Sequence, residues 1–317
     1  MKGIAILFVS VMLLMGIMVA CTPSKKAAEA KTRKIFMSNA YYTAPYCAPL
    51  NKGVENRAKE LGYAIQIVDG EGSADKQLAQ FKAAVAEGYD ALIYFPADQA
   101  STPTVVKYLN STKLPWIVLN TRVDPSIEDQ VPCTVASDEV EIGRNIGRLA
   151  EGYLVKGGSA VYIEGAAGAS FTVNVTKGLN EILAKTSIKI LNDHQYSDWD
   201  PGKAMKIMED MLTKYGKDKI DLVICQDGGM FQGAVSALDA IGLKGKLMCV
   251  ASGNDLIIKE SILNDSLLGT SIQDPFIEGA LGVTSLDKII KGEKVDKWVV
   301  TPGGLCLKAD VEKHNWF

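Results

Sequence analysis

Short apolar segments rich in β-branched residues alternate with segments of helical periodicity from Lys34 onward. In the helical segments, apolar residues recur at every third or fourth position, as Leu50, Val54 and Ala58 do. This spacing places them on one face of a helix. The strand-like segments of the first half are residues 34–39, 64–69, 91–95, 116–120 and 133–136. The alternation predicts successive βαβ units, in which helices cover a parallel sheet.

The same alternation begins again in the second half of the chain. Its strand-like segments are residues 160–164, 188–193, 222–226 and 246–252. A strand at 267–273, a helix at 275–291 and a short strand near Val299 then remain. This remainder is too small for a third domain, so we expect it to complete the two halves already described.

The remainder is explained if the chain returns to the first half and then crosses back. The connections between the halves would lie near residues 136–137, 273–274 and 301–302. We therefore predict an α/β protein with two doubly wound parallel-sheet lobes joined by three crossovers. The predicted lobes are an N-terminal lobe of residues 34–136 plus 274–301 and a C-terminal lobe of residues 137–273 plus 302–317.

The first 20 residues have the pattern of an export signal. Lys2 precedes an apolar run over residues 4–20, which ends in Met-Val-Ala directly before Cys21. This ending resembles a bacterial lipobox, in which the cysteine is acylated and becomes the new N-terminus. We interpret residues 1–20 as a signal peptide and residues 21–33 as a lipidated, solvated tether. Cleavage without a lipid and a retained membrane helix are the alternatives.

Charge and cysteine usage narrow the class of protein. The chain has 34 Lys and Arg against 37 Asp and Glu, a formal net charge of −3, which argues against nucleic acid as a partner. The cysteines other than Cys21 are far apart and form no CxxC pair, so a zinc site is not supported. They are Cys47, Cys133, Cys225, Cys249 and Cys306. We expect buried thiols rather than disulfides, and neither a metal nor a cofactor.

Polar residues follow the predicted strands. In an open parallel sheet, ligands bind beyond the carboxyl ends of the strands, so two lobes that face each other with these ends would form a ligand cleft. Some of these residues would instead cap strands and helices, as Ser101 and Asp255 are placed to do. The residues concerned are Asn39, Asp69, Asp98, Asn120, Glu164, Asp227 and Ser252.

Motifs of enzyme active sites are missing from the sequence. It has only two histidines, His194 and His314, and no GxSxG, GxxxxGK[ST], GxGxxG or HExxH motif. Carboxylates such as Asp98 and Asp227 could act as acids or bases, but hydrogen bonding to ligand hydroxyl groups is the simpler role. We therefore predict no catalytic residues.

Several separated segments carry recognisable local signatures. They are LNKGVENRAKELGY at 50–63, VASDEVEIGR at 135–144, IEGAAGAS at 163–170, SDWDPGKA at 197–204, ICQDGGM at 224–230 and SIQDP at 271–275. Together they resemble the ribose and galactose branch of periplasmic binding proteins. The resemblance implies an extracytoplasmic solute-binding protein that delivers a sugar or polyol to an ABC importer by closing about a hinge.

The resemblance also implies which residues contact the ligand. Its aromatic residues fall on Tyr46 and Trp199, which could stack on a sugar ring. Its polar contacts fall on Asn120, Arg122, Asn174, Asp227, Ser252 and Gln273. The sequence departs from the family where Cys47 replaces a second aromatic residue and where Asn120-Thr121-Arg122 replaces an aspartate followed by arginine. We therefore expect a less charged site than a ribose site.

The same fold is also compatible with other functions. A nucleoside stacked between Tyr46 and Trp199 is the alternative ligand, and an exported enzyme is the alternative class. A transcription repressor is excluded by the export signal and by the absence of a helix-turn-helix before Lys34. The expected partners are the membrane subunits of the importer and, through the lipid, the membrane. We expect the protein to act as a monomer.

The lipid attachment can be tested by replacing Cys21→Ser. If Cys21 carries the acyl chains, the variant should appear in the soluble fraction, whereas the wild-type chain should sediment with membranes. Fractionation followed by immunoblotting measures the distribution. A variant that stays in the membrane with residues 1–20 uncleaved would instead support the retained helix.

Overall fold

Strands and helices alternate through residues 32–317, the part of the chain that the computed structural model describes. The predicted signal peptide, Cys21 and most of the predicted tether lie outside these residues. The strands of the first sheet are β1 (Lys34–Asn39), β2 (Ala64–Asp69), β3 (Ala91–Phe95), β4 (Trp116–Leu119), β5 (Thr134–Ala136) and β11 (Trp298–Val300). The strands of the second sheet are β6 (Gly158–Ile163), β7 (Ile188–Ile190), β8 (Leu222–Cys225), β9 (Met248–Ser252), β10 (Leu267–Gln273) and β12 (Gly303–Cys306).

The α-helices of the described residues lie between these strands. They are α1 (Cys47–Glu60), α2 (Ala74–Ala86), α3 (Thr102–Thr112), α4 (Glu139–Tyr153), α5 (Ser170–Leu183), α6 (Pro201–Tyr215), α7 (Gly228–Ala240), α8 (Leu256–Leu263) and α9 (Pro275–Ile290). Short 3-10 helices span Pro125–Gln130, Lys217–Lys219 and Lys308–Lys313.

Each sheet has six strands within the described residues. The strand orders are β11-β5-β4-β3-β1-β2 and β12-β10-β9-β8-β6-β7. The pairs are parallel except β10 with β12. In both sheets the order reverses beside the first strand of the lobe, β1 or β6, which is the topology of a doubly wound sheet. The predicted fold class is therefore confirmed.

The chain passes between the two sheets at three places. It leaves the first sheet after β5, returns to the first lobe after β10, and leaves again between β11 and β12. Helix α9 follows the second of these connections and packs against α1. The connections lie side by side because β5 pairs with β11, and β10 pairs with β12.

The central strands are apolar on both faces because helices cover both faces of each sheet. In the first lobe, Ile35, Ile93 and Ile117 belong to a core cluster with residues of α1 and α9. Phe36 and Tyr94, which alternate with them along the strands, belong to a separate cluster with α2 and α3. A single cluster forms the core of the second lobe.

Helices α1 and α9 approach each other closely at glycines. A Cβ atom on Gly53 would lie 2.1 Å from the carbonyl oxygen of Phe276, and one on Gly279 would lie 2.2 Å from that of Leu50. Only glycine permits this separation of the two backbones. The contact fixes where the first turn of α9 lies against the first lobe.

Strand β4 ends one residue earlier than the sequence predicted. Asn120 was expected in the strand but has a φ of 71°, which is in the left-handed region and incompatible with extended backbone. The backbone turns there, and the following residues leave the direction of the strand. The predicted strand at 188–193 is also shorter, since β7 ends at Ile190.

Candidate functional site

A cavity lies between the two lobes, at the carboxyl ends of their strands. The first lobe contributes residues at or after the ends of β1, β3 and β4, and the second contributes residues at or after the ends of β6, β7, β8 and β10. The lining residues are Tyr41, Ala44, Tyr46, Cys47, Phe95, Asn120, Thr121, Phe171, Trp199, Asp227 and Gln273.

The lobes also contact each other directly beside the cavity. The backbone N–H of Gln99 donates to the carbonyl oxygen of Gly168 at 3.1 Å. The backbone N–H of Arg122 donates to Ser170 Oγ at 2.7 Å. These hydrogen bonds join the loops after β3 and β4 to the loop and helix that follow β6. The structure therefore has a closed cleft.

Aromatic side chains form one wall of the cavity. The Trp199 ring packs edge-to-face against Tyr41 and Phe171, with centroid distances of 6.0 Å and 5.7 Å. Tyr41 in turn contacts Phe95 at 6.2 Å. Such a wall provides apolar contact area with little side-chain entropy to lose on binding. Since Tyr41 and Trp199 belong to different lobes, the wall is complete only when the cleft is closed.

Trp199 is held in an unusual conformation. Its φ is 63°, a left-handed value that is rare for a bulky residue and is found mainly at functional sites. Its ring lies so close to Gly165 that a Cβ atom there would be 2.0 Å from the ring. Its buried Nε1–H has no hydrogen-bond partner among the described residues. The indole N–H is thus available as a donor.

Asp227 supplies a carboxylate at the N-terminus of α7. Its Oδ1 accepts a hydrogen bond from the N–H of Met230 at 2.8 Å and caps the helix. Burial raises the pKa of Asp227 from 3.8 to about 7, and the neighbouring Asp255 carboxylate adds to this shift. A ligand hydroxyl that donated to this carboxylate would stabilise its ionised form.

Five of the eight ligand contacts implied by the resemblance line the cavity. They are Tyr46, Asn120, Trp199, Asp227 and Gln273. The other three, Arg122, Asn174 and Ser252, are not among the lining residues and have other partners.

Arg122 points away from the cavity. Its Nη2 lies 2.6 Å from Glu128 Oε1, and its guanidinium group lies 4.5 Å from the centroid of the Trp298 ring. The turn at Asn120 places Arg122 beyond the strand end, where this ion pair and cation–π contact hold it. Among residues 32–317, no arginine lines the cavity.

Asn174 and Ser252 take part in internal hydrogen bonds. Asn174 Nδ2 donates to Glu139 Oε2 at 2.6 Å, next to the Ser170 hydroxyl that donates to Glu139 Oε1. Ser252 is fully buried and donates to the carbonyl oxygen of Gln226 at 2.6 Å. Both residues support loops around the cavity.

The sequence matches a known family over most of its length. Residues 35–294 fit the family model of the periplasmic binding protein domain. The chain belongs to this family. The membership confirms the resemblance on which the site was predicted, and it implies a location outside the cytoplasm. It also makes the chain a binding protein rather than an enzyme.

Individual relatives of this periplasmic binding protein are similar over nearly the whole chain. The ribose import binding protein of Bacillus subtilis (strain 168) is 29% identical over 287 residues, which cover 90% of each chain. The xylitol-binding protein of Mycolicibacterium smegmatis is 24% identical over 277 residues, 87% of this chain and 77% of that one.

A solved structure shows the same fold. The ABC transporter solute-binding protein of Bacillus halodurans C-125 with bound myo-inositol has a TM-score of 0.82 and 22% identity. The match covers 89% of this chain and 96% of that one.

Residues 32–317 also bear on membrane-spanning helices and metal sites. No helix in this part of the chain is long and apolar enough to cross a membrane. No group of three His, Cys, Asp or Glu side chains in the same residues could hold a metal ion. The five cysteines of this part of the chain are buried and free. Cys47 is one of the residues that line the cavity.

Sequence reasoning did not select Tyr41, Phe95 or Phe171 as site residues. Phe95 ends β3, and Tyr41 follows β1 by two residues, so both stand where the strand-end rule directs attention. The strand-end rule singles out hydrogen-bonding groups and gives no reason to choose the aromatic residues beside them. Phe171 lies in the first turn of α5, and no pattern in the sequence distinguishes it from a core residue.

The raised pKa of Asp227 predicts a pH dependence of stability. Because the pKa is higher in the folded than in the unfolded chain, folding favours the protonated carboxyl, and this contribution to stability is lost as the pH rises from about 4 to 7. Asp227→Asn, which keeps a capping side chain, should therefore reduce the fall in melting temperature between pH 5 and pH 8. Asp310→Asn is the control, since the pKa of that half-buried carboxyl, which pairs with Lys313, is lowered. If the melting temperature of the Asp227 variant falls with pH as steeply as that of the wild-type chain, Asp227 is not the source of this pH dependence.

Proposed function

We propose that this protein is a lipid-anchored extracytoplasmic receptor that binds a neutral sugar or polyol between its lobes and delivers it to an ABC importer. The observation that carries the proposal is the cavity itself, which combines an aromatic wall around Trp199 with the hydrogen-bonding groups of Asp227, Asn120 and Gln273. The lipid would be attached at Cys21, and the membrane subunits of the importer would be the protein partners.

The chemistry of the lining favours polyhydroxylated ligands. A sugar or cyclic polyol has an apolar C–H face that packs against aromatic rings, and hydroxyl groups that both donate and accept hydrogen bonds. The indole N–H of Trp199 offers a donor, and the Asp227 carboxylate offers an acceptor. The relatives described above bind ribose, xylitol or myo-inositol according to their names, which supports the same class of ligand here.

The charge of the lining favours a neutral ligand. None of the described residues that line the cavity is Lys, Arg or His, and Asp227 is its one carboxylate. A sugar phosphate or sugar acid would be buried beside this carboxylate without a cation, which is unfavourable in a closed cavity. Arg122 would be the nearest candidate for such a role, but Glu128 and Trp298 hold it elsewhere.

A nucleoside remains the second candidate ligand. Aromatic residues from both lobes line the cavity, with Tyr41 and Tyr46 on one side and Phe171 and Trp199 on the other. A flat base between two rings would gain stacking contacts, and its ribose would meet the polar groups. The binding experiment therefore includes both classes of ligand.

A thermal-shift screen should identify the class of ligand. The compounds are D-ribose, D-galactose, xylitol, myo-inositol, D-galacturonate, ribose 5-phosphate and adenosine. A neutral sugar or polyol should raise the melting temperature, because a ligand that binds only the folded state stabilises it. Trp199→Ala and Asp227→Ala should weaken binding of that ligand about 5- to 150-fold, which corresponds to roughly 1–3 kcal/mol.

Two residues outside the cavity provide matched controls for the screen. Tyr153→Ala removes an aromatic side chain, and Asp310→Ala removes a carboxylate, and neither residue lines the cavity. Both variants should bind as the wild-type chain does. Stabilisation by adenosine alone, or by the anionic sugars alone, would reject the proposed ligand class.

Binding should also close the cleft. The ligand contacts proposed here come from both lobes, so the full set forms only in the closed arrangement, and binding should shift the population toward it. Small-angle scattering of the soluble body, expressed without residues 1–21, measures this change. The radius of gyration should fall when the ligand from the screen is added at saturation. Identical curves with and without a ligand shown to bind would argue against hinge closure.

A further inference from the structure

Glu278 is a fully buried carboxylate behind the wall of the cavity, in the first turn of α9. Four side chains donate hydrogen bonds to it. Oε1 accepts from Asn120 Nδ2 at 2.6 Å and from the Tyr46 hydroxyl at 3.5 Å. Oε2 accepts from Ser137 Oγ at 3.3 Å and from Thr301 Oγ1 at 2.9 Å. Glu278 itself does not line the cavity.

The two oxygens of Glu278 face different parts of the molecule. Oε1 faces Asn120 and Tyr46, which both line the cavity. Oε2 faces Ser137 and Thr301, which stand at the first and third connections between the lobes. The close approach of Gly279 to Leu50 fixes the adjacent turn of α9. Hydrogen bonds from the connections therefore fix the carboxylate through Oε2, and its Oε1 contacts the residues of the cavity wall.

The contact with Glu278 determines which way the Asn120 amide points. An ionised carboxylate only accepts hydrogen bonds, so the end of the amide that faces it must be the N–H₂ group. The carbonyl oxygen Oδ1 is at the opposite end of the amide. Without a partner of fixed polarity, the two orientations of an asparagine side chain would be close in energy. With Glu278 present, Oδ1 is the end left for the cavity.

Stability alone does not account for a glutamate at this position. A carboxylate that is taken out of water loses its hydration, and replacing a buried charged group together with its partners by apolar residues is often neutral or stabilising. Here the carboxylate has no cation within a hydrogen bond, and its partners are four neutral donors. Two of those donors belong to residues of the proposed ligand site.

We infer that Glu278 is a positioning residue that turns Asn120 Oδ1 toward the cavity, so that this wall accepts a hydroxyl hydrogen from the ligand. The inference rests on the proposed function for the identity of the ligand, but the orientation of Asn120 does not depend on a ligand. It predicts that the site selects a ligand with a hydroxyl donor facing Asn120.

Other titratable groups surround Glu278 and must be separated from it. Tyr46 and Cys47 face it from the start of α1, Asp274 lies at the start of its own helix, and Glu139 faces it from α4. Burial raises the pKa values of Tyr46 and Cys47 above their ordinary values, so these two groups stay protonated at neutral pH. Burial also raises the pKa values of Glu139 and Glu278 to about 7.

The first experiment needs no ligand. In the ¹⁵N-labelled protein, the side-chain amide signals of Asn120, assigned by their loss in Asn120→Asp, are followed from pH 5 to pH 9. They should shift with one transition in the wild-type chain and in Glu139→Gln, and the transition should vanish in Glu278→Gln. A transition that persists in Glu278→Gln, or that is absent from the wild-type chain, would overturn the inference.

The second experiment exchanges the polarity of the pair. Asn120→Asp places two carboxylates against each other and should weaken binding of D-ribose, xylitol or myo-inositol about 10-fold or more. In the double variant Asn120→Asp/Glu278→Gln, the glutamine amide can donate to the aspartate, so most of the lost affinity should return. Isothermal titration calorimetry measures affinity, and urea unfolding of each variant separates binding from folding. If Glu278→Gln alone does not fold, the affinity of the double variant still shows whether Glu278 positions Asn120.

The outcomes distinguish this inference from the proposed function. If none of the three compounds binds the wild-type chain while the Asn120 signals follow Glu278, the proposed ligand class is wrong and the positioning stands. If a compound binds and the double variant is no better than Asn120→Asp alone, Glu278 does not position Asn120 and the inference is wrong.

Discussion

Three short connections hold the carboxyl ends of two parallel sheets against each other, and the site depends on this constraint. Each connection lies beside another because β5 pairs with β11 and β10 pairs with β12. Residues that follow strands in different lobes thereby line one cavity. Asn120 after β4 and Asp227 after β8 are examples. Neither lobe alone has both the aromatic wall and the full set of polar groups. The joint and the site are therefore parts of one arrangement.

This arrangement places carboxylates where water is excluded. Burial raises the pKa values of Glu139, Asp227 and Glu278 to about 7. The hydrogen bonds that stabilise their ionised forms come mainly from neutral donors. Hydroxyl and amide groups partly replace the lost hydration of Glu139 and Glu278, and backbone N–H groups do so for Asp227. Glu139 is also connected to the opposite lobe, because the Ser170 hydroxyl that donates to it accepts the backbone N–H of Arg122. The energetics of closing the cleft and of ionising Glu139 are consequently linked.

The architecture followed from the sequence because it depends on repeated, local patterns. The alternation of buried strands with amphipathic helices gave two doubly wound lobes, and a remainder too short for a domain gave the three connections. Individual side chains were harder to predict. Asp227 and Trp199 stand in segments that resemble the family, and both line the cavity. The position of the Arg122 side chain depends on a backbone turn at Asn120. The position of Glu278 depends on the packing of α9 against α1. No local pattern of the sequence reveals either one.

The left-handed turn at Asn120 and the buried Glu278 both affect where charged groups lie around the cavity. Where the family resemblance implies an aspartate followed by an arginine, this chain has an amide, and the arginine lies beside Glu128 and Trp298. Bringing Arg122 into the cavity would require breaking that ion pair and the cation–π contact. The lining thus lacks the arginine of the aspartate–arginine pair that the resemblance implies. The carboxylate nearest Asn120 is Glu278, which lies on α9 behind the lining. A carboxylate behind the wall does not line the cavity, but it can set the direction of the Asn120 amide, which does. In this chain the negative charge nearest Asn120 therefore meets the amide from behind the wall and not from within the cavity.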